Sequence, residues 1–281
     1  MRPVSLAPGL ELIDLALFLP TRRVLAIADV HVGIEDALTD EGVLVPRQHL
    51  AHVQHRLERI FKELHIAPSE PLQKIIINGD LRHQFGPLSR VEHRESKEFL
   101  RWLAQWTEHI VLIEGNHDGS LQQFASERIT VTKSYSEGDC WFVHQASPAR
   151  CAWASSSPAG SGRRCTVQAK PGWLVIGHEH PAVGLRDPVT GRTEVYKCFL
   201  VGTFKEHNLL VLPSFNQLVR GSDLLRLDKL RLTFIFAGRR PAKANSPDEV
   251  WSDLEEFSVY VVSDDGQIYA FGPLRRLLTA L

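Results

Sequence analysis

One local pattern recurs along the first two thirds of the chain: a short run of Val, Ile, Leu or Ala residues leads into a cluster of Asp, Asn and His. The apolar runs occupy residues 24–28, 75–77, 110–113, 141–143 and 173–176. Runs of this length and composition predict buried strands. Because α/β sheets place ligand sites at the carboxyl ends of their strands, the pattern predicts one site assembled from several strand ends.

Helical patterns separate the first of these runs. Residues 47–64 and 92–106 carry apolar side chains at helical spacing. The second half differs, since its strand-like segments have little helix between them, and Asp264-Asp265-Gly266 is typical of a hairpin turn. Those segments are residues 192–212, 231–236 and 257–271. We therefore expect an α/β fold in which a second sheet packs on the first.

Charge and composition exclude some classes of protein. Hydrophobic residues make up 43% of the 281 residues and charged residues 23%, which is typical of a globular chain with a sizeable core. The net charge of -1 excludes a protein that holds nucleic acid or a membrane over its whole surface, but leaves room for a local basic groove. The 13 histidines stand out, because histidine is a frequent metal ligand and proton carrier.

Membrane insertion and secretion are not expected. The most apolar early stretch, residues 10–20, is interrupted by Glu11 and Asp14, which is unlike a membrane span or a signal peptide. The cysteines show no zinc-finger or CxxC spacing, so we expect reduced thiols in a cytoplasmic protein. These cysteines are Cys140, Cys151, Cys165 and Cys198.

The polar clusters offer a set of metal ligands that combines imidazole nitrogen with carboxylate and amide oxygen. This mixture suits Mn²⁺, Fe or Zn²⁺ better than Mg²⁺ or Ca²⁺, which prefer oxygen alone. The set is too large for one tetrahedral ion but fits two adjacent ions if one carboxylate bridges them. The candidate ligands are Asp29, His31, Asp80, Asn116, His144, His178 and His180.

The motifs DVH, GDLRH, GNHD, a strand-final His and GHEH, in this order over residues 29–180, resemble the calcineurin-like metallophosphoesterase family. The resemblance implies two mostly mixed β-sheets packed together and flanked by helices, a four-layer sandwich. It also implies two divalent metal ions, with Mn²⁺ expected and Fe or Zn²⁺ as alternatives. By resemblance, one ion is held by Asp29, His31 and His180, the other by Asn116, His144 and His178, and Asp80 bridges them.

Catalytic roles are implied by the same resemblance. A hydroxide held by the metals attacks phosphorus, and His117 protonates the leaving oxygen or stabilises the transition state. Asp118 is expected to fix the His117 ring. His83, where many members of the family have Asp, resembles the nuclease branch, in which this His assists at the phosphate. His144 is followed by Gln145 where many members have Gly, which is a departure in the local loop.

A narrower resemblance covers most of residues 14–223. It is to the SbcD-like phosphoesterases of archaea and to bacterial ones associated with DNA ligase or Lhr-type helicases. It implies a phosphodiesterase acting on DNA, a nuclease linked to DNA repair, with a helicase or ligase as partner. We expect one domain over residues 1–281, with a core at about 14–236, a loop insertion at 146–170 and variable C-terminal strands at 237–281.

Other interpretations stay open. The substrate could be a small nucleotide-like phosphoester, or the chain could be a catalytically weak scaffold for a helicase or ligase. Arg82 and Arg220 are candidate substrate contacts, although Arg82 could equally pair with a nearby acid, and Ser214 and Asn216 are expected at the rim. The repeated His49, His52 and His55 are interpreted as an exposed helix face. The sequence does not indicate an oligomeric state.

Overall fold

The first sheet is built around four parallel strands. The structure, a computed structural model, describes residues 1–119, 121–145, 172–204, 207–226 and 254–279. Antiparallel strands run from β1 to β4, and parallel pairing then continues to β7. The strands, in spatial order, are β1 (Val4–Ala7), β2 (Leu10–Ile13), β3 (Ala16–Leu19), β4 (Val24–Ile27), β5 (Leu72–Asn78), β6 (Thr107–Ile113) and β7 (Ile129–Thr132).

Helices connect the parallel strands of this sheet. They are α1 (Ile34–Asp40), α2 (His49–Glu63) and α3 (Arg90–Leu103). Elsewhere the chain forms a short helix α4 (Leu274–Thr279) after β16 and 3-10 turns at Pro20–Arg22 and Leu121–Phe124. The helices predicted at 47–64 and 92–106 are thus confirmed to within a few residues. A capping box starts α3: Ser89 accepts the backbone N–H of Glu92, whose side chain accepts that of Ser89 in return.

The second sheet mixes parallel and antiparallel strands. β9, β10 and β13 pair in parallel, whereas β12 pairs antiparallel with β11, β13 and β15. The hairpin predicted at Asp264 to Gly266 is confirmed as the β15–β16 turn. The strands are β8 (Ser134–Glu137), β9 (Cys140–Val143), β10 (Trp173–Ile176), β11 (Pro181–Arg186), β12 (Thr193–Phe204), β13 (His207–Val211), β14 (Ser222–Asp223), β15 (Ser258–Val262) and β16 (Ile268–Pro273).

The alternation of side chains along β9 and β10 divides the core between two faces. Phe142 and Val175 pack in the cluster that includes the first sheet. Their neighbours Trp141 and Leu174 pack in a second cluster, together with Phe257 and residues of β15 and α4. Period-two alternation therefore buries both faces of the second sheet. The expected α/β architecture of two packed sheets flanked by helices is confirmed.

Parts of the sequence interpretation differ from the structure or lie beyond the described residues. The stretch at 10–20 contributes two antiparallel strands, β2 and β3, that the apolar runs did not reveal. The strand predicted at 231–236, the loop insertion at 146–170 and residues 237–253 lie outside the described residues. Cys140 and Cys198 are buried and free. None of the described helices has both the length and the apolar character to cross a bilayer.

Replacing Phe142 by Ala tests the packing of the two sheets. Phe142 is fully buried, so the Phe142→Ala variant should lose about 3–5 kcal/mol of unfolding free energy, measured by urea denaturation. Val189→Ala is the control, because Val189 is 91% exposed and its truncation should change stability by less than about 0.5 kcal/mol. Equal stability of the two variants would contradict this packing.

Candidate metal centre

Strand ends from both sheets bring the candidate ligands together. Asp29 follows β4, Asp80 follows β5, and these strands are parallel neighbours in the first sheet. His144 and His178 follow β9 and β10, which are parallel neighbours in the second. The two sheets also meet here through the backbone, because Phe215 N–H donates to the carbonyl of Ala28 at 2.7 Å. The site predicted at several strand ends is therefore a single cluster.

The first group of ligand atoms comes from Asp29, His31 and His180, whose donor atoms lie within 4.8 Å of one another. His180 Nε2 is 3.5 Å from Asp29 Oδ2 and 3.5 Å from His31 Nε2. The backbone N–H of His178 donates to the same Asp29 oxygen at 3.0 Å, which ties the second sheet to this carboxylate. These are the three residues predicted for one ion.

The second group comes from Asp80, His144 and His178, again within 4.8 Å. His144 Nε2 lies 3.1 Å from His178 Nδ1 and 2.8 Å from Asn116 Oδ1, so Asn116 borders the same group. Every one of the seven predicted ligands therefore reaches one of the two groups.

Asp80 lies between the groups. Its Oδ2 atom is 3.4 Å from His144 Nε2 in the second group and 4.0 Å from His31 Nε2 in the first. Its Oδ1 accepts the backbone N–H of His117 at 3.0 Å, which holds the carboxylate in place. A carboxylate in this position can contact two ions at once.

The residues present fit divalent cations. Ring nitrogens of His31 and His180, and of His144 and His178, face each other at 3.5 and 3.1 Å, an arrangement that needs a proton or a cation between them. Asp29 Oδ1 is buried and accepts no hydrogen bond from the described residues. Mixed nitrogen and oxygen donors of this kind suit a transition metal.

Burial and the two carboxylates set the protonation of these histidines. Burial lowers the pKa of His31 to about 3 and that of His178 to about 4, so both rings are neutral near pH 7. Burial also acts to lower the pKa of His144, but the Asp80 and Asp29 carboxylates raise it to about 9. A cation that binds here therefore displaces a proton from His144.

The backbone is strained at the ligands. Asp29, His31, Asp80, His178 and His180 have φ values of 55°, 54°, 43°, 68° and 46°, in the left-handed region. Each such residue costs about 1–2 kcal/mol relative to ordinary backbone. Strain of this kind persists where the surrounding structure holds it and clusters at functional sites.

Two glycines allow the close approach of the ligand loops. A β-carbon at Gly79 would lie 1.9 Å from His144 Nδ1, and one at Gly115 would lie 2.0 Å from Asp80 Oδ1. No side chain fits at either position. The glycine before Asp80 therefore makes room for the histidine that the second sheet supplies.

His117 and His83 border the ligand cluster. His117 Nε2 lies 3.9 Å from Asp80 Oδ2, and its Nδ1 donates a hydrogen bond to the backbone carbonyl of His83. His83 Nδ1 lies 3.3 Å from His31 Nδ1. The predicted catalytic histidines thus stand side by side, their rings 5.7 Å apart.

Asp118 does not orient His117 as predicted. Its buried carboxylate instead accepts backbone N–H groups of Gly115 at 3.0 Å and of Leu81 and Arg82 at 3.3 Å. It thereby joins the loop after β5 to the loop after β6, and the His83 carbonyl orients His117. Burial, with the nearby Asp80 charge, raises the pKa of Asp118 to about 7.

The two candidate substrate contacts lie away from the ligands. Arg82 is fully buried, pairs with Glu92 Oε2 at 3.5 Å and donates to the carbonyl of Gln84. The structure thus shows the alternative of an acid partner, and the contact of Arg82 with substrate stays a prediction. Arg220 lines a cavity of about 690 Å³ together with Arg56, and none of the seven candidate ligands lines that cavity.

His49 was missed as a residue of the site. It is buried, and its Nε2 donates to the carbonyl of Val30 at 2.8 Å, between the ligands Asp29 and His31. His52 and His55 are exposed, as expected. The helical stripe could have revealed His49, because it lies four residues before the buried Val53.

The rim segment of the second sheet reaches the same carbonyl. Asn216 Nδ2 donates to Val30 O at 3.4 Å. Lys197 Nζ, which the sequence interpretation also missed, donates to Ser214 O at 2.8 Å and to Ser214 Oγ at 2.6 Å. Ser214 and Asn216 thus support the loop that carries Asp29, and a lone lysine in a strand offers no sequence signal for this role.

Comparison with known proteins agrees with this geometry. Residues 22–147 match the family model of the calcineurin-like phosphoesterases. No curated protein matches the sequence significantly.

Solved structures extend the comparison to the fold. The Pseudomonas putida nuclease MPE, known from a crystal structure, is 19% identical in sequence to this chain. The two structures superpose with a TM-score of 0.54, and the match covers 96% of this chain and 99% of that one. YfcE, a phosphoesterase from E. coli, is 14% identical, with a TM-score of 0.38 over 89% of this chain and 98% of that one. The first likeness shows a shared fold.

Changing Gly79 to Ala should disrupt the centre. The new methyl group would displace His144, so we expect Mn²⁺ affinity, measured by isothermal titration calorimetry, to fall by at least about 10- to 100-fold. Gly42→Ala is a matched control, because Gly42 has a similar φ of +86° but nothing within 4 Å of an added β-carbon. Equal affinities for Mn²⁺ in the two variants would contradict the expectation that the clash with His144 weakens metal binding.

Proposed function

We propose that this chain is a dimetal-dependent phosphodiesterase that cleaves nucleic acid, a DNA nuclease. The observation that carries the proposal is the position of Asp80 between two ligand groups, with His117 and His83 beside it. In the proposal, Asp80 contacts both ions, one held by Asp29, His31 and His180 and the other by Asn116, His144 and His178.

Two bound ions would supply activation of a water molecule and neutralisation of phosphate charge. The mixture of nitrogen and oxygen ligands suits Mn²⁺, Fe or Zn²⁺, and the family resemblance favours Mn²⁺ among them. His31 and His178 are already neutral near pH 7 and therefore ready to bind a cation. The surrounding structure holds these strained loops and so fixes the positions of the ligands.

His117 is arranged to hold a proton at one defined atom. A carbonyl oxygen only accepts, so the bond from Nδ1 to the His83 carbonyl fixes a hydrogen on Nδ1. Nε2 is then the nitrogen that gains and loses the exchangeable proton, and it faces the Asp80 side of the site. In the proposed reaction, Nε2 delivers this proton to the leaving oxygen of the substrate.

A diester on a nucleic-acid strand is favoured over a monoester by His83. Its ring is partly exposed and stands beside His117, so both imidazoles can contact one phosphate. A His at this place in the second motif resembles the nuclease branch of the family. The fold shared with the Pseudomonas putida nuclease MPE supports the same choice. A role in DNA repair and a helicase or ligase partner stay predictions.

A panel of substrates tests the proposal. Mn²⁺-loaded protein should cleave a bis-aryl phosphate and single-stranded DNA faster than an aryl monoester, and Asp80→Asn should abolish all cleavage. Rapid hydrolysis of the monoester without cleavage of either diester would contradict a nuclease. Protein that binds no Mn²⁺ would instead support the scaffold interpretation.

A small nucleotide-like substrate is the second candidate, and the net charge of -1 favours it. Salt dependence separates the two. Binding of DNA should weaken with salt, with a log–log slope of about -0.7 per phosphate contact on a single strand. A flat dependence together with efficient nucleotide hydrolysis would favour the small substrate.

Replacing His117 by Asn tests the proton donor. We expect kcat on the bis-aryl phosphate to fall by about 10²- to 10⁴-fold, because one positioned proton donor contributes this much. Mn²⁺ affinity should be unchanged within a few-fold. His52→Asn, on the exposed side of α2, is the control and should retain full activity. If the His117 variant keeps wild-type activity, His117 is not the proton donor.

A further inference from the structure

Phe85 is a large apolar side chain left exposed beside the metal centre. It is 68% exposed, yet one face of its ring stacks on His117, with centroids 3.7 Å apart and planes 30° from parallel. Single exposed apolar residues are common on protein surfaces. This one differs because the ring it covers belongs to the candidate proton donor, and because most of its remaining surface is open to solvent.

The loop that carries Phe85 is held from below. The buried Arg82 guanidinium donates to the carbonyls of Gln84 at 2.7 Å and Gly86 at 3.0 Å, on either side of Phe85. The backbone N–H of Gln84 donates to Glu92 Oε1 at 2.9 Å. Because buried charged groups fix both neighbours, the ring is presented in a set position rather than on a free loop.

The position of Phe85 relates it to the reacting phosphate. Phe85 stacks on the ring of His117, and Nε2 of the same ring lies 3.9 Å from Asp80 Oδ2. A phosphate bound beside Asp80 and His117 would therefore bring its attached nucleoside close to Phe85. Aromatic rings offer every nucleobase a stacking surface, whatever the base, provided that the base is unpaired.

We propose that Phe85 forms a base-stacking subsite for the nucleotide next to the scissile phosphate, and that it gives the site a preference for single-stranded nucleic acid. This subsite rests on the proposed function, since it takes a nucleic-acid strand as its substrate. Phe85 stacks on His117, which is not one of the seven predicted ligands, so the proposed effect of Phe85 is on strand recognition.

Binding of two matched strands tests the subsite. One is a short thymidine oligonucleotide, and the other has the same length but abasic sugars, both with phosphorothioate linkages that slow cleavage. Fluorescence anisotropy with Mn²⁺-loaded wild type should show about 5- to 150-fold tighter binding of the base-bearing strand. Phe85→Ala should lose most of that preference, Phe85→Trp should keep it, and all three proteins should bind the abasic strand alike.

The outcomes separate the subsite from a positioning role and from the proposed function. If Phe85→Ala weakens both strands equally, or neither, the subsite is overturned; an equal loss would mean that Phe85 only orients His117. Equal binding of the base-bearing strand and the abasic strand by the wild-type protein would overturn the subsite as well. Wild type that prefers bases but cleaves no phosphodiester would keep the subsite and reject the nuclease. Thermal unfolding should show the same midpoint for Phe85→Ala as for wild type.

Discussion

The burial of two carboxylates at the place where the sheets meet is the constraint on which the rest of the structure depends. Asp29 and Asp80 are almost completely inaccessible to water, and the ion pairs described for them are with imidazoles. A buried negative charge is costly unless positive charge compensates it. An imidazole compensates this charge only when it is protonated, whereas a divalent cation compensates it at any pH at which the ligand atoms carry no proton. The architecture of both sheets thus converges on a site for cations.

Three separate sets of polar contacts support that site. Asp118 joins two loops of the first sheet through their backbone N–H groups. Arg82 and Glu92 hold the loop after Asp80. His49 and Asn216 both bind the carbonyl of Val30. These contacts oppose the strain of the left-handed ligand residues and hold the ligand loops in position.

The loop after β5 combines chemistry with recognition. It carries Asp80, between the ligand groups, and His83, whose carbonyl fixes the tautomer of His117. A few residues further on it presents Phe85 over the same ring. Because the buried Arg82–Glu92 pair holds the part of this loop around Phe85, a change in either residue would act on the proposed proton transfer and strand recognition together.

The apolar runs followed by polar clusters were sufficient to predict β4, β5, β6, β9 and β10 and to place the seven candidate ligands near one another, because a strand end places the next polar residue at the sheet edge. Sequence could not assign the direction of the side chains beside those ligands. Arg82 and Asp118 lie next to the site along the chain, yet one turns inward to Glu92 and the other to backbone amides. Those directions depend on left-handed turns and on which distant helix supplies a partner. The chain by itself therefore determined which donor groups reach the site, and only the tertiary structure decided which neighbours support it and that Phe85 stands at its edge.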